Sequence, residues 1–211
     1  MLAKMIAMGV VAAVVAAGSV RAADDLAGQA TAPLTPQHAV KGNTLRVDVG
    51  TIETVDVSRS FRHAGAHRFI LKGVADAEQH AFAEADPLGQ VQRLLWFQFE
   101  SLLPAATGAY DYSKDTAVTI GGREWRASVR RYTAPPEPDG DQAQLYAILA
   151  RRNLRPPLPA LRVRLVHVPP GDQRSELMII YAEATDATTA PTAVESAGII
   201  ERAQAALRFH P

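Results

Sequence analysis

The segment VQRLLWFQFESLLP, residues 91–104, sets polar side chains that could bind a ligand among large apolar ones. In a β-strand, successive side chains point to opposite faces, so Trp96, Gln98 and Glu100 would share one face. Apolar area combined with a few orienting polar groups is typical of ligand-binding clefts. We therefore predict that these three residues face a ligand or partner. In the alternative, Trp96 packs under a helix or loop, and Gln98 and Glu100 lie at the margin of the sheet.

The opposite face of the same strand is predicted to face the core. It would carry Val91, Arg93, Leu95, Phe97 and Phe99. The loop that follows, PAATGAYDYSKD at residues 104–115, adds two tyrosines, and a tyrosine supplies flat contact area with a hydroxyl at its tip. Tyr110 and Tyr112 are therefore further candidates for contact with a ligand or partner. They could equally cover the end of the core.

No known metal or catalytic motif is formed by His63, His67, His80, His167 or His210. His63 and His67 are four residues apart, but they lie beside strand-like sequence and no glutamate follows His63 as in the zinc-protease motif. His167 and Glu176 would approach each other and Ser175 in a hairpin, but no G-x-S-x-G elbow supports a nucleophilic serine. We assign no catalytic residue, no metal ligand and no cofactor.

Carboxylates offer another route to catalysis, because two that lie close together can act as acid and base. The candidates for such pairing across strands are Glu84, Glu100, Glu124 and Glu183. The sequence leaves their register open. Arg162, Arg164, Arg174 and Glu176 are interpreted as members of cross-strand ion pairs on an exposed face. A hydrolase that uses carboxylates with His80 or His167 in a cleft on the sheet is the alternative to a binding domain.

Period-two patterns and turn residues indicate a series of antiparallel strands. The predicted strands cover residues 44–50, 68–73, 78–85, 91–102, 116–120, 123–133, 161–168 and 175–185. The clearest hairpin has Gly121 and Gly122 at its turn, because paired glycines accept the positive φ of a two-residue turn. A second hairpin joins the last two strands.

Two segments are predicted to be helical. The first covers residues 141–154 with Asp141 as a candidate cap and ends before RPPLP, because proline cannot continue a helix. Its apolar face would carry Leu145, Ile148 and Leu149. The second begins with a capping box at Thr192 and Glu195 and continues towards the C-terminus. Its apolar stripe would carry Ile199, Ile200, Ala203 and Leu207.

These elements predict an α+β fold. Strands joined by hairpins form an antiparallel sheet, and helices then cover one face or the edges. We expect about six to eight strands in this sheet, with one internal helix and one C-terminal helix packed on it. The predicted organisation is a flexible leader over residues 23–43 and a single domain over residues 44–211.

The first 22 residues have the features of a secretory signal peptide. Lys4 precedes an apolar stretch, Met5–Gly18, which is shorter than the roughly 20 residues that cross a bilayer. Val20-Arg21-Ala22 fits cleavage after Ala22. We therefore expect a periplasmic or secreted protein with no stable membrane insertion after cleavage.

The composition excludes several classes of function. The chain has no cysteine, so disulfides, thiol nucleophiles and a lipid anchor at the cleavage site are ruled out. Without Lys4 and Arg21, 20 basic residues remain against 22 acidic ones. This balance does not attract nucleic acid, and we expect no nucleic-acid partner.

Three runs carry a resemblance to known proteins: RLLWFQFESLLP, YDYSKDTAVTIGGREW and RSELMIIYAE. Together they resemble a family of uncharacterised exported bacterial proteins over roughly residues 65–185. That family has no assigned activity, so the resemblance implies no catalytic residues. The order of elements, ending in LRFHP, is also similar to the PsbP-like α/β/α sandwich. Members of that fold are mostly non-enzymatic partners of larger assemblies, although a shared fold is a poor guide to function.

The sequence thus predicts a non-enzymatic periplasmic domain that binds an envelope protein or a small molecule. The candidate residues are Trp96, Gln98, Glu100, Tyr110 and Tyr112. The hydrolase is the second hypothesis. A third is a scaffold whose exposed sheet edge accepts a strand from another protein.

Overall fold

The computed structural model describes residues 34–138 and 140–211. The predicted signal peptide and the first part of the predicted leader lie outside the described residues. In chain order, the described elements are β1 (Val40–Lys41), β2 (Thr44–Val49), β3 (Ile52–Val57), β4 (Arg62–Leu71), β5 (Ala75–Ala85), β6 (Val91–Leu102), β7 (Thr116–Ile120), β8 (Arg123–Tyr132), α1 (Asp141–Ala150), β9 (Ala160–His167), β10 (Ser175–Ala184), α2 (Ala193–Ala205) and β11 (Leu207–His210).

The main sheet has seven antiparallel strands in the order β4-β5-β6-β10-β9-β8-β7. The predicted strand over residues 91–102 is confirmed as β6, and both predicted hairpins are confirmed as β7–β8 and β9–β10. Gly121 and Gly122 have φ values of 57° and 74° at the β7–β8 turn, as the paired glycines predict. The antiparallel α+β expectation is therefore confirmed at this level, although strand predominates over helix.

A second sheet, which the sequence analysis did not predict, has the order β1-β2-β3-β11. The prediction of a flexible leader up to residue 43 was wrong at its C-terminal end, because Val40 pairs with Leu45 in this sheet. The helical prediction for the C-terminal tail was also wrong. Leu207 pairs with Val57 and Phe209 with Val55, so the tail is a strand whose apolar residues alternate at period two.

The main sheet is covered on both faces. The small sheet and α2 pack on one face, here called the sandwich face, whose core includes Phe97, Leu165 and Tyr181. α1 packs on the other, here called the helical face. Its core contains the three predicted apolar residues of α1 together with Leu94 and Trp96. Both covers restrict access to the candidate residues on β6.

The side chains of β6 alternate between the two faces of the sheet, with one irregularity near the start of the strand. Glu84 faces Arg93 but Ala85 faces Val91, so one extra residue stands between the two pairs, as in a β-bulge. Val91 consequently belongs to the helical-face core with Leu94 instead of the core of Phe97. Its predicted placement on the other face was wrong.

The ends of the two helices differ from each other in how they are capped. The capping box of α2 is confirmed: Thr192 Oγ1 accepts the Glu195 N–H at 3.2 Å, and Glu195 Oε2 accepts the Thr192 N–H at 2.8 Å. In α1 the N-cap is Gly140, and Asp141 is the first helical residue, so the predicted Asp141 cap was wrong. Neither helix of the described chain is long and apolar enough to span a membrane.

Candidate functional site

Four of the five candidate residues form one hydrogen-bonded chain on the helical face. Trp96, Gln98 and Glu100 are alternate residues of β6. The Trp96 Nε1–H donates to Gln98 Oε1 at 2.9 Å, and Gln98 Nε2 donates to Glu100 Oε1. The Tyr110 hydroxyl then donates to Glu100 Oε2 at 3.0 Å. The strand and the tyrosine loop therefore meet as one polar unit.

The side-chain amide of Gln98 makes its hydrogen bonds to other residues of the protein. Gln98 is 0% exposed, and its Oε1 also accepts from Gln79 Nε2 at 2.7 Å. The same Gln79 nitrogen donates to the backbone oxygen of Asp141 at 2.8 Å, which ties the sheet to the first turn of α1. Gln98 thus lies at the centre of the covered sheet, neither at its margin nor on an open surface.

Tyr112 lies half-buried beside the same polar unit. The guanidinium carbon of Arg164 lies 5.1 Å from the centre of its ring. Tyr110 and Tyr112 also line an open depression of about 600 Å³ at the end of the sheet, together with His167. The loop therefore covers the end of the core and lines a surface depression.

Glu100 faces Glu176 directly across β6 and β10. Both are buried, and neither oxygen of Glu176 has a hydrogen-bond partner among the described residues. Burial raises the pKa of Glu176 to about 8, and the nearby Glu100 carboxyl acts in the same direction. Burial also raises the pKa of Glu100. Glu176 therefore holds a proton at neutral pH, and its predicted role in an exposed ion pair was wrong.

Cations lie on the same face, on the strands beside this carboxyl pair. Arg162 is 5% exposed, its guanidinium carbon is 4.0 Å from the centre of the Tyr132 ring, and its Nη2 donates to the Tyr146 hydroxyl at 2.9 Å. Among residues 34–138 and 140–211, its Nε has no hydrogen-bond partner, and no carboxylate lies within 4.0 Å of the guanidinium. Arg164, in contrast, pairs with Asp115 at 2.9 Å.

A cavity of about 160 Å³ lies between these arginines, Trp96 and the start of α1. Its lining consists of Trp96, Ser128, Arg130, Tyr132, Asp141, Gln142, Arg162, Arg164, Met178 and Ile180. Three of these residues are cationic and one is anionic. Trp96 is the candidate residue that reaches this cavity, although it is only 2% exposed.

The sequence analysis missed Arg162 and Arg164 as site residues. They alternate with Leu161, Val163 and Leu165, a pattern that also marks an ordinary strand with one solvated face. The signal that could have found them is the register, which places Arg164 beside Ile180 and Ile180 beside Trp96. This register depends on the pairing of three strands.

The histidines of the hydrolase hypothesis lie on the other face. His167 packs against Trp125 with ring centroids 5.3 Å apart, and His80 packs near Phe99; both aromatic rings belong to the sandwich-face core. The Ser175 hydroxyl lies 3.0 Å from that of Ser101. The sheet thus separates these imidazoles from the carboxyl pair.

A separate group on the sandwich face combines ligand types that metals prefer. His38, Glu78 and His80 each offer one atom, and these three atoms lie within 4.8 Å of one another. The sequence analysis assigned no metal ligand. His38 escaped notice because it lies in the predicted leader.

No protein-family model, curated protein or solved structure matches this chain. The resemblance to uncharacterised exported proteins and to the PsbP-like fold thus stays a prediction from the sequence.

Proposed function

We propose that this protein is a non-enzymatic periplasmic domain that binds a small organic anion in the cavity beside Trp96 and Arg162. The observation that carries the proposal is the burial of Arg162 without a carboxylate partner in the described part of the chain. A buried charge is costly unless it is paired. A ligand carboxylate would supply the missing partner, and guanidinium binds carboxylates with two parallel hydrogen bonds.

The walls of the cavity limit the size and polarity of the part of the ligand that carries the carboxylate. Trp96, Tyr132 and Ile180 provide aromatic and aliphatic surface beside the arginines. A cavity of roughly 150 Å³ is large enough for benzene, and this one measures about 160 Å³. The ligand class is therefore a carboxylate with one small ring or a short aliphatic chain. The periplasmic location rests on the sequence of residues 1–22.

Isothermal titration with benzoate and hexanoate tests this proposal, with benzamide as the neutral counterpart and phosphate as an anion without apolar area. We expect saturable binding of at least one carboxylate and none of benzamide. Arg162→Met should abolish the binding. Arg126→Met is the matched control, because Arg126 lies on the neighbouring strand β8, is paired with Glu124 and does not line the cavity. Equal binding of benzamide, or no binding of either carboxylate, would refute the proposal.

A hydrolase is the second candidate, favoured by the Glu100–Glu176 pair. Two carboxyls of which one holds a proton near neutral pH are suited to acid–base chemistry. Both side chains are buried, however, and the imidazoles of His80 and His167 lie across the sheet. A screen of ester, phosphoester and glycoside substrates separates the two candidates. Turnover that is lost in Glu176→Gln and kept in Glu53→Gln would favour the hydrolase.

A further inference from the structure

Two residues of β5 and one residue of the N-terminal segment converge on the sandwich face. Glu78 and His80 are alternate residues of β5 and so share a face. His38 Nδ1 lies 3.0 Å from Glu78 Oε1, and His80 Nε2 lies 2.7 Å from the same oxygen. Two imidazole nitrogens thus approach one carboxylate oxygen from two different parts of the chain.

The protein holds these three side chains in place. The His38 ring stacks on Phe99 with centroids 3.6 Å apart and an angle of 9° between the planes. The backbone N–H groups of Gln37 and His38 donate to the two oxygens of Glu78 at 2.6 and 2.9 Å. Glu78 and His80 are almost fully buried, whereas the His38 side chain is 18% exposed. The cluster is therefore ordered, and one edge of it reaches solvent.

We propose that His38, Glu78 and His80 bind a divalent transition-metal ion of the zinc type. Two imidazole nitrogens and one carboxylate oxygen form a donor set that zinc uses, at about 2.0–2.2 Å from the ion. Such bond lengths require ligand atoms only a few ångströms apart, and the three atoms here lie within 4.8 Å of one another. The ion would fit if the nitrogen and oxygen atoms that now share hydrogen bonds moved slightly apart.

Two buried nitrogen atoms without partners support this site. His80 Nδ1 and His63 Nε2 have no hydrogen-bond partner among the described residues, and the centroids of the two rings are 5.7 Å apart. When Nε2 of a neutral histidine binds a metal, the proton of the ring is on Nδ1, and metal-bound histidines usually donate that proton. The neighbouring His63 ring has an unpartnered Nε2 that would accept this proton if the ring turned towards His80.

The remaining coordination position would be available to water or a ligand. Three protein ligands with an open fourth position are typical of zinc sites that interact with other molecules. His38 borders a cavity of about 340 Å³ that also includes Phe99 and Glu100. Bound metal would also fasten the segment before β1 to the main sheet, so binding should stabilise the folded protein.

Titration of the chelator-treated, untagged protein with Zn²⁺ tests the proposal. We expect one equivalent to bind by calorimetry, and Co²⁺ to give a visible absorption band on binding. His38→Asn should weaken Zn²⁺ binding by at least about 10-fold, since even the partners of metal ligands contribute 10–100-fold. His67→Asn is the matched control: its ring stacks on Phe69 of β4 and it is outside the cluster. This control should bind as the unmodified protein does.

Glu78→Gln replaces one of the two oxygens that accept the backbone N–H groups of Gln37 and His38 by an NH2 group, and so can affect folding. His38→Asn avoids this difficulty, because the His38 ring lies at the partly exposed edge, and circular dichroism checks its fold. Absence of saturable binding of Zn²⁺ and Co²⁺ would show a hydrogen-bonded cluster only and overturn the proposal. Binding that persists unchanged in both His38→Asn and His80→Asn would overturn it as well.

Discussion

Glu176 on β10 lies directly opposite Glu100 on β6, and both carboxyls are buried on the same face of the main sheet. The pKa of Glu176 is raised by burial to about 8 from an ordinary value of 4.5. Between these two pH values the folded protein keeps a proton that the unfolded chain has released. The free energy of unfolding therefore falls as the pH rises through about 8 and levels off for this group only well above that pH.

A substitution of Glu176 should remove this pH dependence. One pH unit of differential protonation corresponds to about 1.4 kcal/mol, so the unmodified protein should lose about 2 kcal/mol between pH 6.5 and 8. The Glu176→Gln variant should lose much less stability over this interval and should be more stable than the unmodified protein at pH 8. Urea unfolding at the two pH values measures the difference.

Between pH 6.5 and 8, His63 contributes little to the pH dependence of stability. Burial lowers the pKa of His63 to about 4 from 6.5, which makes stability rise with pH, but only up to about pH 6.5. Glu53→Gln, at an exposed position of β3, is the matched control and should keep the full loss. The interpretation of Glu176 fails if its variant shows the same loss as this control.

Arg162→Met should stabilise the ligand-free protein. Replacement of buried ionic groups by apolar side chains of similar size often stabilises by about 1–4 kcal/mol, and Arg162 has no carboxylate partner in the described residues. The lost contacts with Tyr132 and Tyr146 reduce the gain, so we expect about 1 kcal/mol. Denaturant unfolding measures it, and Arg126→Met should change stability by less than about 0.5 kcal/mol.

The opposite result for Arg162→Met would also be informative. A loss of several kcal/mol is expected when one partner of a buried pair is removed. Such a loss would mean that the guanidinium already has a counterion in the protein. The anion-binding proposal would then lose its basis.

Trp96→Ala should destabilise the protein by about 3–5 kcal/mol, because it removes a large side chain from the helical-face core and leaves a cavity. Trp96→Phe should cost less and keep the fold. Thermal unfolding compares both with Val194→Ala, a control at a position that is 82% exposed. A small effect of Trp96→Ala would mean that the indole is not part of the core.

A pair of glycine substitutions tests the position of β11. Gly121 and Gly122 both have positive φ, so alanine is strained at either position. A Cβ at Gly121 would lie 2.9 Å from the Phe209 ring, whereas one at Gly122 would meet no described residue within 4 Å. Gly121→Ala should therefore lose more stability than Gly122→Ala in denaturant unfolding. Equal losses would contradict the packing of Phe209 on this turn.

Local patterns were sufficient for most of the elements. The apolar face of α1, the capping box at Thr192 and the turn at Gly121 are determined by residues within a few positions of each other. The tail was mistaken for helix because Leu207 continues the spacing of Ile199 and Ala203. Pairing with β3, more than 140 residues earlier in the chain, makes it a strand.

The candidate site was predictable only in part. Period two placed Trp96, Gln98 and Glu100 on one face, and the structure adds that this face is covered by α1. Whether a strand residue is buried depends on what packs on it, and that partner comes from another part of the chain. Arg162 and Glu176 therefore have the sequence pattern of surface residues and the burial of core residues.

By itself, the amino-acid sequence determined which residues alternate, where the turns and helix caps lie, and which chemical groups are present. The tertiary structure alone decided which carboxyls and cations meet, because strand register joins residues such as Glu100 and Glu176 that are far apart in the chain. It also decided which of them are removed from water, since both faces of the main sheet are covered. Burial raises the pKa of Glu176 and makes it costly for Arg162 to lack a carboxylate partner among the described residues, so it determines what chemistry these groups can perform.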